Sequence, residues 1–417
     1  MSRNGLRPRV VVTGLGAVTP VGNTIAAMWE NLINGRSGIA RITRFDPSPF
    51  ETQIAGEVKG FHAEEFMDRR EVRRSDRYLH YVVAATAEAI ANAGLDFKRE
   101  RPERVGVLIG SAIGGVETLL ENYDKMKERG PHRVSPFFLP AMIADTAGAQ
   151  IAIDYGLEGP SYAPISACAT GANAIGEGTE MIRRGAADIV IAGGSEAGIV
   201  SIAFAGFNVM KAISTRNDDP ATACRPFDAT RDGFVIAEGC GIVILESEEH
   251  ARARGARVYA ELAGYGTTVD GFHLAAPPEG GRGMQNATRL ALTDAQAMPH
   301  DVHYINAHGT GTELNDVTET EAIKGVFGEA AYDLAISSTK SMTGHMLGAA
   351  GAVEAIICIK AIETGIVPPT INLHTPDPRC DLDYVPNEAR EMRVDLAASN
   401  SMGLGGHNAC VVVRRST

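Results

Sequence analysis

The sequence predicts an α/β fold made of two similar halves, and two observations support this prediction. Apolar runs typical of buried strands end in glycines and alternate with helical stretches along the chain. A strand followed by a glycine loop, as seen in residues 9–24, recurs from residue 257. We therefore predict an N-terminal half over residues 1–256 and a C-terminal half over residues 257–417.

Local patterns predict the individual elements of the first half. Strands are predicted where apolar runs end in glycines, at residues 9–18, 105–115 and 187–196. Residues 75–94 predict a helix, because Tyr78, Tyr81 and Ala85 recur at helical spacing and Gly94 suits its C-terminal cap. Residues 240–255 predict a strand that leads into a charged helix.

The glycines of the first strand-like run raise the question of a nucleotide site. Gly14 and Gly16 match the start of a dinucleotide fingerprint, but Thr19 stands where that fingerprint has a glycine. We therefore interpret this stretch as a tight turn between a strand and a helix.

Composition limits the classes of function. The net charge of −12 argues against nucleic acid as the main partner. No apolar run approaches the roughly 18 residues of a membrane span, and the first residues lack a signal-peptide pattern, so we expect a cytoplasmic protein without membrane association. The six cysteines are scattered and form no CxxC pair, which predicts neither a disulfide framework nor structural zinc.

One cysteine stands in a setting that suits reaction. Cys168 lies among small residues in "GPSYAPISACATGANAIGEG", between a strand-like segment and a predicted helix. The start of a helix carries partial positive charge, which favours a thiolate and predicts a lowered thiol pKa. Four other cysteines are predicted to be packing residues: Cys224, Cys240, Cys358 and Cys410.

Two further segments offer polar groups at the ends of predicted strands. His308 follows a strand, and the hydroxyls of Thr310 and Thr312 alternate after it in a glycine-rich loop. Residues 399–413 predict a glycine-rich loop before a terminal strand, whose backbone N–H groups suit an oxyanion hole.

A third segment pairs a lysine with a histidine. Lys340 and His345 precede a small-residue helix that contains Glu354. Two adjacent positive charges repel, so the lysine favours a neutral imidazole, and Glu354 is placed to orient the lysine.

Taken together, these motifs resemble the β-ketoacyl-acyl-carrier-protein synthases, and most closely the synthase II branch. The resemblance covers nearly the whole chain, from "VVVTGLGAVTPVG" through "RPFDATRDGFVIAEGCGIVILE" and "SSTKSMTGHMLGAAGAVEA" to "NSMGLGGHNA". It implies a thiolase fold, with two α/β halves in a five-layer αβαβα arrangement, and a homodimer. The implied reaction is a decarboxylative Claisen condensation that lengthens an acyl chain by two carbons in fatty acid biosynthesis.

The resemblance also implies roles for single residues. Cys168 would carry the acyl group, His308 and His345 would stabilise an enolate, and Lys340 held by Glu354 would tune the site. The backbone N–H groups of Cys168 and Leu404 would form the oxyanion hole. The implied substrate-binding residues are Ile113, Phe207, Thr310, Thr312, Met402 and Leu404.

The implied partner is the acyl-carrier protein, which brings its own phosphopantetheine, so neither a cofactor nor a metal is expected. Four basic residues are expected to dock this acidic carrier: Arg73, Arg74, Arg133 and Lys211.

Departures from the family pattern leave alternatives open. Met402 and Leu404 stand where phenylalanines are usual, and Ala275 and Ala276 replace hydroxyl residues that contact pantetheine. A ketosynthase of a polyketide or specialised lipid pathway is therefore the second hypothesis. A non-catalytic partner subunit is the third, and the intact Cys168 argues against it.

Overall fold

The strands come first, because their order defines the fold. The computed structural model describes residues 7–416. Its strands are β1 (Val10–Val18), β2 (Ala40–Arg41), β3 (Ile54–Ala55), β4 (Val105–Gly110), β5 (Ile189–Glu196), β6 (Gly239–Ser247), β7 (Ala260–Val269), β8 (Tyr304–Asn306), β9 (Ala335–Ser337), β10 (Ile366–Val367), β11 (Arg390–Glu391), β12 (Leu396–Gly403) and β13 (His407–Arg414). Within the described residues, nine strands form one sheet in the order β4-β5-β6-β1-β7-β13-β12-β8-β9.

The sheet repeats one pattern on either side of the β1–β7 pair. From β1 outward the neighbours are β6, β5 and β4, and from β7 outward they are β13, β12 and β8. On both sides the successive pairings are antiparallel, antiparallel and parallel. β9 then pairs parallel with β8, and Ser161 forms a parallel bridge to Val107 of β4 at the corresponding place. The fold class of two similar α/β halves is confirmed, while the boundary at residues 256 and 257 stays a prediction.

The α-helices cover both faces of the sheet. They are α1 (Ile25–Ile33), α2 (Arg69–Val72), α3 (Arg77–Ala93), α4 (Val116–Arg129), α5 (Phe138–Met142), α6 (Thr146–Tyr155), α7 (Thr170–Arg183), α8 (Ser201–Val209), α9 (Glu248–Ala253), α10 (Arg282–Asp294), α11 (Glu313–Phe327), α12 (Lys340–Thr343) and α13 (Ala350–Thr364). α3 ends at Gly94 with φ 61°, as its sequence predicts. No helix in the described part is long and apolar enough to cross a membrane.

Two glycines in β1 allow an outer helix to lie against the strand. A Cβ added at Gly14 would lie 2.1 Å from the carbonyl oxygen of Ala89, and one at Gly16 would lie 1.8 Å from that of Ala85. Both acceptors belong to α3. The predicted strand-to-helix turn at these glycines is therefore wrong. They lie inside β1, and their lack of a side chain serves helix packing.

The second half repeats this device. A Cβ at Gly264 of β7 would lie 2.1 Å from Ala291 O, and one at Gly266 would lie 2.0 Å from Ala287 O, both in α10. The same residue type thus performs the same packing role in the first strand of each half.

The middle layer consists of α7 and α13, which contact each other and the strands of both halves. A Cβ at Gly171 would lie 2.7 Å from the backbone nitrogen of Ala352, and one at Gly351 would lie 2.9 Å from that of Ala172. With α3 outside one half and α10 with α11 outside the other, the layers follow the order αβαβα.

We predict that Gly171→Ala lowers the free energy of unfolding by about 1–3 kcal/mol, because the added methyl group meets backbone that is packed on all sides. The matched control is Gly206→Ala in α8, where an added Cβ has no neighbour within 4 Å. The control should be neutral or slightly stabilising, because alanine favours helix. Urea unfolding of both variants measures the difference, and equal free energies would contradict the packing role.

Candidate active site

Cys168 lies in a short 3-10 turn, Ala167–Ala169, directly before α7. The preceding Ala167 adopts a φ of 51°, an uncommon conformation for a residue with a side chain. The cysteine is buried, and its Sγ lies 3.1 Å from Nε2 of His345. The turn therefore aims the thiol at the histidine of the other half.

Burial raises the pKa of the Cys168 thiol to about 11, so the predicted lowering is wrong. The charge of Lys340 and a hydrogen bond from the backbone N–H of Leu404 act in the opposite direction, but they do not offset the loss of water. α7 begins at Thr170, directly after the turn that holds the cysteine, as predicted. The cysteine rests as a thiol and needs a proton acceptor to react, and His345 stands within hydrogen-bond distance.

Two histidine rings meet edge to face in this site. His308 follows β8, His345 follows α12, and their ring centroids are 5.3 Å apart at an interplanar angle of 86°. Burial and the charge of Lys340 lower the pKa of both imidazoles well below the usual value, and His345 lowers that of His308 further. Both rings are therefore neutral near pH 7. The sequence predicted this state for His345 from the neighbouring lysine, and burial contributes more to it than the lysine does.

Lys340 itself forms a buried ion pair with Glu354 of α13. The side chains are 1% and 2% exposed, so water screens the pair weakly. Removing one partner of such a pair typically costs about 3–5 kcal/mol, because the other charge is left buried alone. Glu354 thus holds the lysine where its charge acts on the thiol and the two histidines.

Sequence patterns did not identify Glu319 of α11, which supports the histidine loop. Its two carboxylate oxygens accept hydrogen bonds from the backbone N–H groups of His308 at 2.8 Å and Gly309 at 2.7 Å. Burial raises the pKa of Glu319 to about 7. Its position eleven residues after the histidine gave no local signal, since the contact exists only once α11 folds back on the loop.

The loop after β12 supplies backbone donors beside the thiol. Residues 399–403 belong to β12, so the loop predicted over this stretch is shorter and begins at Leu404. A Cβ at Gly403 would lie 2.9 Å from the carbonyl oxygen of Ser166 and 3.1 Å from the backbone nitrogen of Cys168, so a side chain there would force the backbone to shift. The N–H of Leu404 donates toward the sulfur, which suits the predicted oxyanion hole.

A cavity of about 450 Å³ opens beside Cys168 and both histidines. Five of the six residues predicted to bind substrate line it: Phe207, Thr310, Thr312, Met402 and Leu404. The sixth, Ile113, does not line it; its side chain lies beside Gly198 and near that of Leu347. Ala275 and Ala276 also line the cavity.

The four predicted docking residues are exposed and come from separate segments. Arg73 and Arg74 follow α2, and the guanidinium of Arg74 lies 4.3 Å from the ring centroid of Phe137. Arg133 lies in the turn before α5, and Lys211 follows α8 and lines the cavity. One of the four basic groups thus stands at the opening that leads to the thiol.

Comparison with known proteins identifies the family. Residues 7–251 match the family described as "Beta-ketoacyl synthase, N-terminal domain", and residues 259–374 match "Beta-ketoacyl synthase, C-terminal domain". The chain belongs to the β-ketoacyl synthase family. A relative from Staphylococcus aureus (strain COL), named 3-oxoacyl-[acyl-carrier-protein] synthase 2, is 50% identical over 415 residues, which are 100% of this chain and 99% of the relative. A Synechocystis relative of the same name is 50% identical over 409 residues, 98% of each chain.

Solved structures agree with this assignment. A ketosynthase of a type II polyketide system, in complex with its acyl-carrier protein and bound to the hexaketide, superposes with a TM-score of 0.92 at 37% identity, over 99% of this synthase and 100% of that chain. A β-ketoacyl synthase from Burkholderia phymatum superposes with a TM-score of 0.91 at 37% identity, over 98% and 100%. This synthase is therefore an acyltransferase with the thiolase-type ketosynthase fold.

Proposed function

We propose that this synthase condenses an acyl thioester on Cys168 with malonyl-acyl-carrier protein, releasing carbon dioxide, in fatty acid biosynthesis. The contact that carries the proposal is the 3.1 Å separation between Sγ of Cys168 and Nε2 of His345. A nucleophile beside a proton-accepting group is the arrangement that acyl transfer requires. The names of the two curated relatives support the same reaction.

In the first half-reaction the Cys168 thiol attacks the carbonyl carbon of the incoming thioester. The bond to the pantetheine sulfur of the carrier breaks, and the thiol proton passes through the imidazole of His345 to that departing sulfur. The backbone N–H groups of Cys168 and Leu404 hold the negative oxygen of the tetrahedral intermediate. Because the pKa of Cys168 is raised, attack depends on this proton transfer.

In the second half-reaction the malonyl thioester loses carbon dioxide, and its carbonyl oxygen becomes an enolate oxygen. Neutral His308 and His345 each stabilise that oxygen by donating from one ring nitrogen. The new carbanion attacks the acyl carbonyl on Cys168, so a carbon–carbon bond forms while the carbon–sulfur bond breaks. One proton from solvent then restores the thiol, and the product leaves two carbons longer.

The carrier supplies the pantetheine arm, so the proposed reaction uses no cofactor of the synthase. The absence of a cofactor and a metal stays a prediction, as does a cytoplasmic location. The acyl-carrier protein bound to the polyketide ketosynthase supports a carrier as the partner here.

A homodimer is the proposed assembly. Helices α4, α5 and α6 pack in succession and expose large apolar side chains, including Tyr123, Leu139, Ile143 and Ile153. Large exposed apolar side chains on adjoining helices are typical of a surface that a partner covers. We expect sedimentation velocity to give twice the mass of the 417-residue chain, and a monomer at micromolar concentration would contradict the proposal.

A polyketide pathway is the second candidate, and Leu404 favours it. The family resemblance predicts a phenylalanine gate at this position, and the leucine is 41% exposed beside the thiol. The structural likeness to a polyketide ketosynthase agrees with this alternative. Assaying acyl-carrier substrates of increasing chain length against malonyl-carrier separates the two pathways.

We predict that Cys168→Gln abolishes condensation but retains malonyl decarboxylation. Because both histidine pKa values lie well below the usual value, decarboxylation by this variant should stay constant from pH 8 to pH 6. His308→Ala or His345→Ala should instead slow decarboxylation by about 100-fold or more, as removal of an oxyanion donor does. Carbon dioxide release measures each variant, and full elongation by Cys168→Gln would refute the nucleophile assignment.

We predict that the double variant Arg73→Glu and Arg74→Glu raises KM for carrier-bound substrates and changes activity on a small pantetheine thioester little. The effect should weaken with salt, since the Debye length falls from about 10 Å at 0.1 M to about 3 Å at 1 M. The control, Lys98→Glu with Arg99→Glu, makes the same charge change beyond the other end of α3. An equal rise in KM for carrier-bound substrates in both double variants would contradict docking at Arg73 and Arg74.

We predict that Leu404→Phe couples the half-reactions more tightly, because a larger side chain closes the unacylated site better. The native synthase should release more carbon dioxide per β-ketoacyl product than the variant. The flexible side chain of Met402, which also lines the cavity, is the alternative source of bulk. Carbon dioxide and β-ketoacyl product are measured together in both proteins. Identical ratios of the two in the native synthase and in Leu404→Phe would exclude Leu404 as a gate.

A further inference from the structure

Glu196, at the end of β5, is a fully buried carboxylate that the proposed reaction does not use. It accepts four hydrogen bonds. Oε1 accepts from the Ser111 hydroxyl at 2.8 Å and from the N–H of Ile113 at 3.3 Å. Oε2 accepts from the N–H of Ala112 at 2.9 Å and from that of Gly348 at 3.0 Å.

These donors belong to two segments that approach the active site from different halves. The loop after β4 carries Ile113, whose side chain lies outside the cavity but near that of Leu347, which lines it. The 3-10 turn Leu347–Ala349 begins two residues after His345 and packs on β5. A shift of either segment would leave a buried N–H or carboxylate oxygen without its partner, which is costly. One carboxylate therefore fixes the loop and the histidine turn in a single arrangement.

The turn that Glu196 binds corresponds, in the second half, to the turn that holds Cys168 in the first. Cys168 and Gly348 are counterparts, because each is the middle residue of the 3-10 turn that opens a middle-layer helix. Each follows a residue with positive φ, Ala167 at 51° and Leu347 at 46°. The N–H of Cys168 is the predicted oxyanion donor, while the N–H of Gly348 binds Glu196. The second half thus repeats a turn whose N–H group binds an anion, and here the anion is the carboxylate of Glu196.

We propose that Glu196 is a positioning residue whose carboxylate ties the Ile113 loop to the His345 turn and occupies the counterpart of the oxyanion site. Its effect on acyl-chain choice rests on the proposed function. Its charge acts on Cys168 whether or not the proposed condensation is correct.

Glu196 binds the turn Leu347–Ala349, and that turn packs against the turn Ala167–Ala169, which holds Cys168. On Cys168, Glu196 and Glu354 raise the pKa in addition to burial, and Lys340 lowers it. Burial and neighbouring carboxylates, including Glu196, also raise the pKa of Tyr78. Burial raises the pKa of Glu196 to about 7, so its charge appears as pH rises through neutrality. Above that pH the native carboxylate opposes formation of the Cys168 thiolate, and below it the effect disappears.

The first experiment measures alkylation of Cys168 by iodoacetamide in the native synthase and in Glu196→Gln, with the modified peptide quantified by mass spectrometry. The ratio of variant to native rate should lie near one at pH 5.5 and increase several-fold by pH 8.5. A general change in access to the thiol would shift the ratio equally at every pH. A ratio that is constant with pH, or that falls, overturns the electrostatic role.

The second experiment measures acyl transfer from long-chain and short-chain carrier thioesters to Cys168. Glu196→Gln should change the ratio of kcat/KM for long over short chains several-fold. Ser111→Ala keeps the charge and removes one bond, so it should change this ratio less and leave the alkylation ratio near one at every pH. If Glu196→Gln does not fold, an unchanged chain-length ratio in Ser111→Ala overturns the proposal.

The control variant is Glu246→Gln, at the other end of the β5–β6 pair. Glu246 pairs with Ile189, whereas Glu196 pairs with Gly239, and both carboxylates are fully buried. The control should lose thermal stability without a change in chain-length ratio. An equal change in the chain-length ratio of Glu196→Gln and Glu246→Gln overturns the positioning role. If the native synthase transfers no acyl group, the proposed function is wrong. The pH dependence of the alkylation ratio then tests whether the charge of Glu196 acts on Cys168.

Discussion

The approach of α7 to α13 at Gly171 and Gly351 is the contact on which the active site depends. A side chain on either glycine would meet backbone of the facing helix, so the two helices begin side by side between the halves. The turn that opens α7 holds Cys168, and the segment just before α13 holds His345. The nucleophile therefore comes from one half and its proton acceptor from the other, and neither half holds a complete site. Packing of the two halves therefore assembles the active site.

Exclusion of water sets the electrostatics of the site that this packing creates. Burial raises the pKa of Cys168 and lowers that of His345, so both groups rest uncharged and a proton moves between neutral partners. The ion pair of Lys340 with Glu354 keeps one positive charge in the dry interior, where charges act strongly. The same burial favours oxyanion stabilisation, because backbone donors compete with little water. Cys168 is therefore a neutral thiol at rest, and it becomes nucleophilic when it transfers its proton to His345.

Sequence patterns predicted the elements whose signals are local. The helix that ends at Gly94 lies where its periodicity places it, and the segments quoted for chemistry meet in one cavity. Prediction failed where the partner is distant in sequence. The local pattern at Gly14 predicts a turn, because its partner, a carbonyl of α3, lies 75 residues away in the sequence. Glu319 and Glu196 became visible only when folding brought backbone N–H groups to them, and the raised pKa of Cys168 follows from burial that no single segment provides.

Transfer of an acyl group to Cys168 is the step from which the rest of the proposed reaction follows. Incubation of the synthase with an acyl-carrier thioester, followed by peptide mapping in a mass spectrometer, tests it directly. We expect one acyl group per chain, located on the peptide that contains Cys168. An acyl group on another residue, such as the buried Cys224, or no covalent adduct at all, would contradict the assignment of the nucleophile.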